Sequence, residues 1–162
     1  WSVQARRPDR IGEIIQEAYM MSISGVPGPV HVDIPRDVMI ESVEFSPSND
    51  LWDTSRPSYA PDPLLIEKAA EILKQSERPI IVAGGGVLWS AASEKLISLA
   101  ESLGAIIMTS TGRDDVVDNH HPLFLGSIGR GTIPEARKLF EESDLVLAIG
   151  TRLAHSSTFL KF

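Results

Sequence analysis

Cysteine is absent from this 162-residue sequence, and several other features are scarce. Without cysteine there is no disulfide framework, no thiolate zinc site and no cysteine nucleophile, which fits a reducing compartment such as the cytoplasm. No apolar run approaches the length of about 18 residues that a membrane-spanning helix needs. The 15 Lys and Arg are outnumbered by 22 Asp and Glu, giving a net charge of −7 without a basic stripe. Nucleic acid and membrane are therefore not expected as partners.

The residues that are present favour a soluble globular protein. Apolar residues make up 43% of the chain, which is enough for a buried core, and glycine and proline are not in excess. The chain begins at Trp1 rather than Met, and no apolar targeting segment follows. These features predict an excised piece of a longer cytoplasmic protein.

The first zone, residues 1–40, contains one predicted helix and one predicted strand. Pro8 and Asp9 favour a helix start, apolar residues then recur at helical spacing, and Gly25 ends the helix. Val30 to Ile34 alternates apolar and polar residues, which predicts a strand. One helix and one strand bury too little surface to fold alone. The unpaired strand favours association with another chain.

A linker is predicted over 41–61, because this stretch is rich in turn-forming residues and has little periodicity. Leu51 and Trp52 are expected to anchor it by burial.

The third zone, residues 62–162, alternates helices and strands. Asp62 and Pro63 start a helix, and further helices are predicted over 90–103, where Gly104 ends the helix, and over 132–142. Short apolar runs predict buried parallel strands at 79–83, 105–109 and 145–149, and 110–131 is predicted to be a long polar loop. This rhythm predicts an α/β fold, an open parallel doubly wound (Rossmann-like) sheet with helices on both faces. Three strands are few for such a sheet, so a truncated domain is expected.

The loops after the three strands are the candidate ligand site, since open parallel sheets bind ligands at the carboxyl ends of their strands. Gly84, Gly85 and Gly86 follow the first strand, where glycine lets backbone N–H groups approach a phosphate or ribose. A tight turn without a ligand is an equally good interpretation. Trp89 stands where GxGxxG needs its third glycine, and no P-loop lysine follows. Thr109-Ser110-Thr111 replaces the acidic residue expected at a nicotinamide dinucleotide site.

Other polar residues are best interpreted as structural. His120 and His121 point to opposite sides of an extended chain, and His31 beside Asp33 is a strand-face pair. No metal site and no catalytic constellation is predicted from spacing.

Three separate stretches resemble the thiamine-diphosphate-dependent enzymes, such as acetolactate synthase. Residues 24–38 resemble the end of the pyrimidine-binding domain, although Val26 stands where Arg is usual. Further segments resemble the middle domain of these enzymes. They are Arg78-Pro79-Ile80-Ile81-Val82-Ala83-Gly84-Gly85-Gly86-Val87, His121-Pro122-Leu123-Phe124-Leu125-Gly126-Ser127-Ile128-Gly129, and residues 143–153, which end in Gly150-Thr151-Arg152-Leu153.

The resemblance implies three regions: 1–40 from a pyrimidine-binding domain, 41–61 as the linker and 62–162 as an incomplete middle domain. Thiamine diphosphate and magnesium are then expected in the parent enzyme. By this resemblance, its catalytic glutamate would lie upstream and the Gly-Asp-Gly motif that holds the cofactor downstream, so no catalytic residue is expected in this chain.

The middle domain of the family binds FAD, ADP or nothing. By resemblance, the cofactor contacts fall on Gly84, Gly85, Gly86, Thr109, Ser110, Thr111, Gly129, Gly150 and Arg152. FAD-binding members continue with Phe-Asp-Asp-Arg, where this chain has Leu153-Ala154-His155-Ser156, and Thr111-Gly112-Arg113-Asp114 departs from the usual Gly-Lys-Gly loop. These departures argue against FAD.

Two classes of function follow. The first is a fragment of a 2-keto acid decarboxylase/carboligase that is inactive by itself, with the rest of the parent and identical subunits as partners. The second is a stand-alone nucleotide-binding or purely structural module.

Overall fold

The chain forms two compact units, Trp1–Ala60 and Pro61–Phe162. The structure is a computed structural model, and it describes residues 1–44 and 60–157. The predicted anchors Leu51 and Trp52, and most of the predicted linker, lie outside the described residues.

Over residues 1–44, the first unit has two short strands and two helices. These are β1 (Ser2–Gln4), α1 (Ile11–Ile23), β2 (His31–Asp33) and α2 (Arg36–Met39), with a 3-10 turn at Pro8–Arg10 before α1. β1 pairs in parallel with β2, and Val3 lies opposite Val32. The prediction that this strand is unpaired was therefore wrong. A three-residue strand is too short to show an alternating pattern, so β1 gave no signal in the sequence.

The second unit is a parallel sheet with helices. Its elements are α3 (Pro63–Gln75), β3 (Pro79–Ala83), α4 (Gly85–Trp89), α5 (Ser93–Leu103), β4 (Ile106–Ser110), β5 (Phe124–Ile128), α6 (Pro134–Glu141) and β6 (Leu145–Ile149), followed by a 3-10 turn at His155–Ser157. The four strands lie in the order β5-β4-β3-β6, and every neighbouring pair is parallel. The prediction of a parallel α/β fold is confirmed.

Two apolar clusters cover the two faces of this sheet. Ile81 and Ala83 of β3 pack with α4 and α5 on one face. Ile80 and Val82 pack with β4, β5 and α6 on the other. All five residues of β3 are buried, as expected for a central parallel strand with an unbroken apolar sequence.

The prediction of a loop over the whole of 110–131 was wrong, because β5 lies within it. Gly126 has a φ of 100°, and the register shifts: Phe124 pairs with Ile107, and Ser127 with Thr109. Two residues of β5, Leu125 and Gly126, thus lie opposite one residue of β4, which is a bulge. The glycine in the bulge and the serine after it also made the segment resemble a loop in the sequence.

Two predicted helices differ in their bounds. The helix predicted over 90–103 begins at Ser93, because the backbone at Ala91 is left-handed, with a φ of 49°, and cannot be part of a right-handed helix. The helix predicted from Thr132 begins at Pro134, since the Thr132 hydroxyl donates to the Ser127 carbonyl of β5. The predicted caps are confirmed: the Asp62 carboxylate accepts from the Leu64 N–H at 2.9 Å, and Gly104 ends α5 with a φ of 61°.

No residue of α3 is buried, so its apolar side chains are not part of the core. Leu64, Leu65, Ile66 and Ile72 are each more than half exposed. Among the helices of residues 1–44 and 60–157, none has the length and hydrophobicity to cross a membrane.

Candidate functional site

The carboxyl ends of the parallel strands bring the predicted loops to one edge of the sheet. Ala83 at the end of β3 lies opposite Thr109 of β4 and opposite Ile149 of β6. Ser110 lies opposite Ile128, the last residue of β5. The loops after β3, β4 and β6 therefore share this edge, as predicted, and the loop that begins at Gly129 lies there too, because β5 is also a parallel strand.

Two chain segments cross closely at the edge, between β3 and β6. The Gly84 N–H donates to the Ile149 carbonyl at 2.9 Å, and the Gly86 N–H donates to the Gly150 carbonyl at 2.8 Å. A Cβ on Gly84 would lie 2.6 Å from the Thr151 Cα, and one on Gly86 would lie 2.7 Å from the Gly150 Cα. These glycines have a packing role whether or not a ligand binds.

Gly150 is required for two reasons. Its φ of 61° lies in the left-handed region, and a Cβ on it would lie 2.6 Å from the Val87 nitrogen. Any other residue would combine a strained backbone with a clash against α4.

Gly85 differs from its neighbours because it faces a side chain rather than backbone. A Cβ on Gly85 would lie 3.1 Å from Nε and 3.2 Å from Cζ of Arg113. Among the described residues, no hydrogen-bond acceptor is found for its N–H. Gly85 is thus the glycine of this turn whose backbone donor is available to a ligand.

Arg113 also lies at this edge, beside Gly85, although no sequence motif indicated it. Its Nη2 atom pairs with the Asp115 carboxylate at 3.2 Å, and its side chain is 31% exposed. The Nε atom is buried and, among the described residues, has no hydrogen-bond partner. A signal was present, since Arg113 is the sole Lys or Arg between Gly104 and Arg130.

The predicted hydroxyl residues hold the edge together. The buried Thr109 donates its hydroxyl to Asp114 Oδ1 at 2.7 Å. The Ser110 and Thr151 hydroxyls bond at 2.6 Å and so join the end of β4 to the loop after β6.

Thr111 has a similar bridging role. Its hydroxyl donates to the Ile128 carbonyl at 2.8 Å, and its N–H donates to the Ser157 hydroxyl at 3.3 Å. Ser157 is buried, so the 3-10 turn after β6 packs against this loop.

The remaining two predicted residues lie in different surroundings. The Gly129 N–H donates to the Thr132 hydroxyl at 2.8 Å, and its φ is 135°. Arg152 is exposed, and no ion pair or hydrogen bond links its side chain to the described part of the chain. A guanidinium in this position is available for an anionic group.

The groups available at the edge fit an anion rather than a metal. They are the Gly85 N–H, the Arg113 guanidinium and the Arg152 guanidinium. Within residues 1–44 and 60–157, no cluster of three or more His, Asp or Glu is arranged to hold a metal ion.

The strand order and the glycine-rich first turn define the class of this domain. Read by position in the chain, the strands of the four-stranded sheet lie in the order third, second, first, fourth. This is the start of the Rossmann-like order, in which ligands bind at the carboxyl edge.

A model of the thiamine pyrophosphate enzyme central domain matches residues 66–161. The chain therefore belongs to the thiamine pyrophosphate enzyme family, and the matched residues correspond to its central domain. The family resemblance of the sequence motifs is confirmed.

Curated relatives include a probable acetolactate synthase large subunit from Methanocaldococcus jannaschii, 36% identical over 96% of this chain. The glyoxylate carboligase of Escherichia coli O157:H7 is 37% identical over 97% of this chain. The chain spans 27% and 26% of the lengths of these two relatives.

Among solved structures, the thiamine diphosphate-dependent 4-hydroxybenzoylformate decarboxylase of Rhodococcus jostii matches with a TM-score of 0.72 at 25% identity. That match covers 93% of this chain and 29% of the decarboxylase. Benzoylformate decarboxylase from Polynucleobacter necessarius has the same fold, with a TM-score of 0.67 at 24% identity.

Proposed function

We propose that the chain is part of a thiamine-diphosphate-dependent enzyme that decarboxylates a 2-keto acid and transfers the remaining unit to an acceptor. The observation that carries this proposal is the family match over residues 66–161. Relatives named acetolactate synthase and glyoxylate carboligase support a carboligating parent. No Gly-Asp-Gly stands in the sequence, so thiamine diphosphate and magnesium would be held by other parts of the parent.

The organisation of the parent follows from the same resemblance. Residues 1–40 would be the end of the pyrimidine-binding domain, and 62–162 would be the middle domain. The partners would be the rest of the parent and identical subunits. A cytoplasmic location is proposed from the lack of cysteine.

The coding sequence on either side tests this organisation. We expect an upstream domain with the catalytic glutamate and a downstream domain with Gly-Asp-Gly. A gene that encoded only these 162 residues would contradict the parent enzyme and leave the stand-alone module.

For the middle domain, we propose weak binding of an adenine nucleotide such as ADP. The Gly85 N–H and the two arginines, Arg113 and Arg152, supply donors that suit a diphosphate. The residues fit FAD less well, because Leu153-Ala154-His155-Ser156 carries neither the two acids nor the arginine of FAD-binding members. Two lost charge-assisted hydrogen bonds would raise a dissociation constant by about 10²–10⁴.

Titration calorimetry of the purified chain with ADP and with FAD tests the nucleotide proposal. We expect ADP to bind, and Arg152→Ala to weaken it by about tenfold or more, because a guanidinium–phosphate contact is worth about 1.5–3 kcal/mol. Arg137→Ala is the matched control, since Arg137 pairs with Glu141 on the surface of α6. Submicromolar FAD binding would show that the substitutions after Arg152 matter little.

A purely structural middle domain is the second candidate. It is favoured by the use of the Gly84, Gly86 and Gly129 N–H groups within the protein. Absence of binding for both nucleotides would support it.

A further inference from the structure

The Arg113 guanidinium lies against Gly85 at the one place in the glycine turn that backbone does not fill. An ideal Cβ on Gly85 would meet Nε, Cζ and Nη2 of Arg113 at 3.1, 3.2 and 3.5 Å. The corresponding positions on Gly84 and Gly86 are filled by the segment after β6. A side chain can move away from its position, whereas that backbone is held by hydrogen bonds.

The guanidinium is poorly satisfied where it lies. Its Nε is buried, and the described residues offer it no acceptor. An unpaired buried donor is unfavourable, and more so when it carries charge. The Nη2–Asp115 distance of 3.2 Å exceeds that of a strong charge-assisted bond, and the Asp115 side chain is 60% exposed. Little therefore holds Arg113 in this position.

A second unused donor lies beside it. The Gly85 N–H has no acceptor among the described residues, and it belongs to the residue that the guanidinium covers. One anionic group placed at Gly85 would accept from this N–H and, after a small movement of the side chain, from the guanidinium.

We propose that Arg113 is the phosphate-recognising residue of this edge: its guanidinium rests on Gly85 in the free chain and moves to bind a phosphate or diphosphate there. This inference rests on the proposed nucleotide function for its ligand. It assigns the specificity for the anionic group to Arg113, a residue of the loop after β4 that the sequence motifs did not place in the site.

Titration calorimetry of the full chain with ADP, inorganic pyrophosphate and adenosine tests this role. We expect Arg113→Gln to weaken ADP and pyrophosphate by about 10- to 100-fold, which corresponds to about 1.4–2.8 kcal/mol. Adenosine should be unaffected, because it carries no phosphate. Arg137→Gln, which removes the same charge from the surface of α6, should leave all three affinities unchanged.

Arg113→Lys provides a second variant that keeps the charge, and far-UV circular dichroism checks that each variant folds. Lysine cannot offer the forked pair of donors, so an intermediate loss of ADP affinity is expected. If Arg113→Lys binds ADP as tightly as the wild type, the guanidinium is not recognised by the ligand and the proposal is overturned.

The three probes separate this inference from the nucleotide proposal. ADP binding that Arg113→Gln leaves unchanged would overturn the role of Arg113 and leave the nucleotide function standing. Binding of pyrophosphate that depends on Arg113, without any binding of ADP, would support Arg113 and overturn the nucleotide. A wild-type chain that binds neither ADP nor pyrophosphate would overturn both.

Discussion

The crossing of the two glycine segments makes Gly150→Ala a sharp test of the site's architecture. Gly150 and Gly104 both have a φ of 61°, but only Gly150 is surrounded closely: a Cβ there would lie 2.6 Å from the Val87 nitrogen, whereas one on Gly104 meets nothing within 4 Å. Gly104→Ala is therefore a matched control that shares the backbone strain and lacks the clash.

The expected magnitudes differ accordingly. Left-handed backbone costs an alanine about 1–2 kcal/mol, and this applies to both variants. Gly150→Ala adds overpacking of about 1–3 kcal/mol and weakens the Gly86–Gly150 hydrogen bond, which contributes about 1 kcal/mol. We expect Gly150→Ala to lower the free energy of unfolding by about 2–4 kcal/mol more than Gly104→Ala.

Urea unfolding followed by far-UV circular dichroism measures this difference directly. The dependence on urea should have the same slope in both variants, so that the midpoints report stability. Equal losses in Gly150→Ala and Gly104→Ala would refute the inference that the crossing requires glycine.

Three further predictions concern the rest of the chain. The Asp144 carboxylate accepts from the Ser76 hydroxyl and from the Glu77 and Arg78 N–H groups, which lowers its pKa from 3.8 to about 2. Because the pKa is lower in the folded chain, the ionised carboxylate stabilises the fold above pH 3.8, and this stabilisation is lost as the pH falls to about 2. Asp144→Asn should therefore make the urea midpoint depend less on pH over this range, and an unchanged pH dependence would contradict this role of Asp144. β6 lies at an edge of the sheet, and Val146 on it is 40% exposed. The chain should therefore self-associate as its concentration rises, and Val146→Lys should reduce the apparent mass measured by light scattering. A chain that stayed monomeric at all concentrations would contradict this prediction. The purified chain should not turn over pyruvate with thiamine diphosphate and magnesium, and turnover above background would refute the assignment of the catalytic groups to other parts of the parent.

Local sequence determined several elements of the second unit, although it predicted neither α4 nor β5. The unbroken apolar run of 79–83 could be satisfied only by a strand buried on both faces, and the structure places β3 at Pro79–Ala83. Asp62 and Gly104 act within one turn of the helices they cap, so their roles depend on neighbouring residues alone. Helices join β3 to β4 and β5 to β6, which favours parallel pairing, and the parallel arrangement brings the loops to one edge.

Features that depend on contacts distant in the chain were decided only by the tertiary structure. β1 and β5 are strands because β2 and β4 lie beside them, and neither has a pattern that predicts a strand alone. Gly84, Gly85 and Gly86 resemble a ligand-binding turn in the sequence, but the crossing with the segment at the end of β6 engages the N–H groups of Gly84 and Gly86. Arg113 lies 28 positions from Gly85 and reaches it only because β4 pairs with β3. Sequence patterns report a residue's own element, whereas which donors remain available depends on the segments that the fold packs against them.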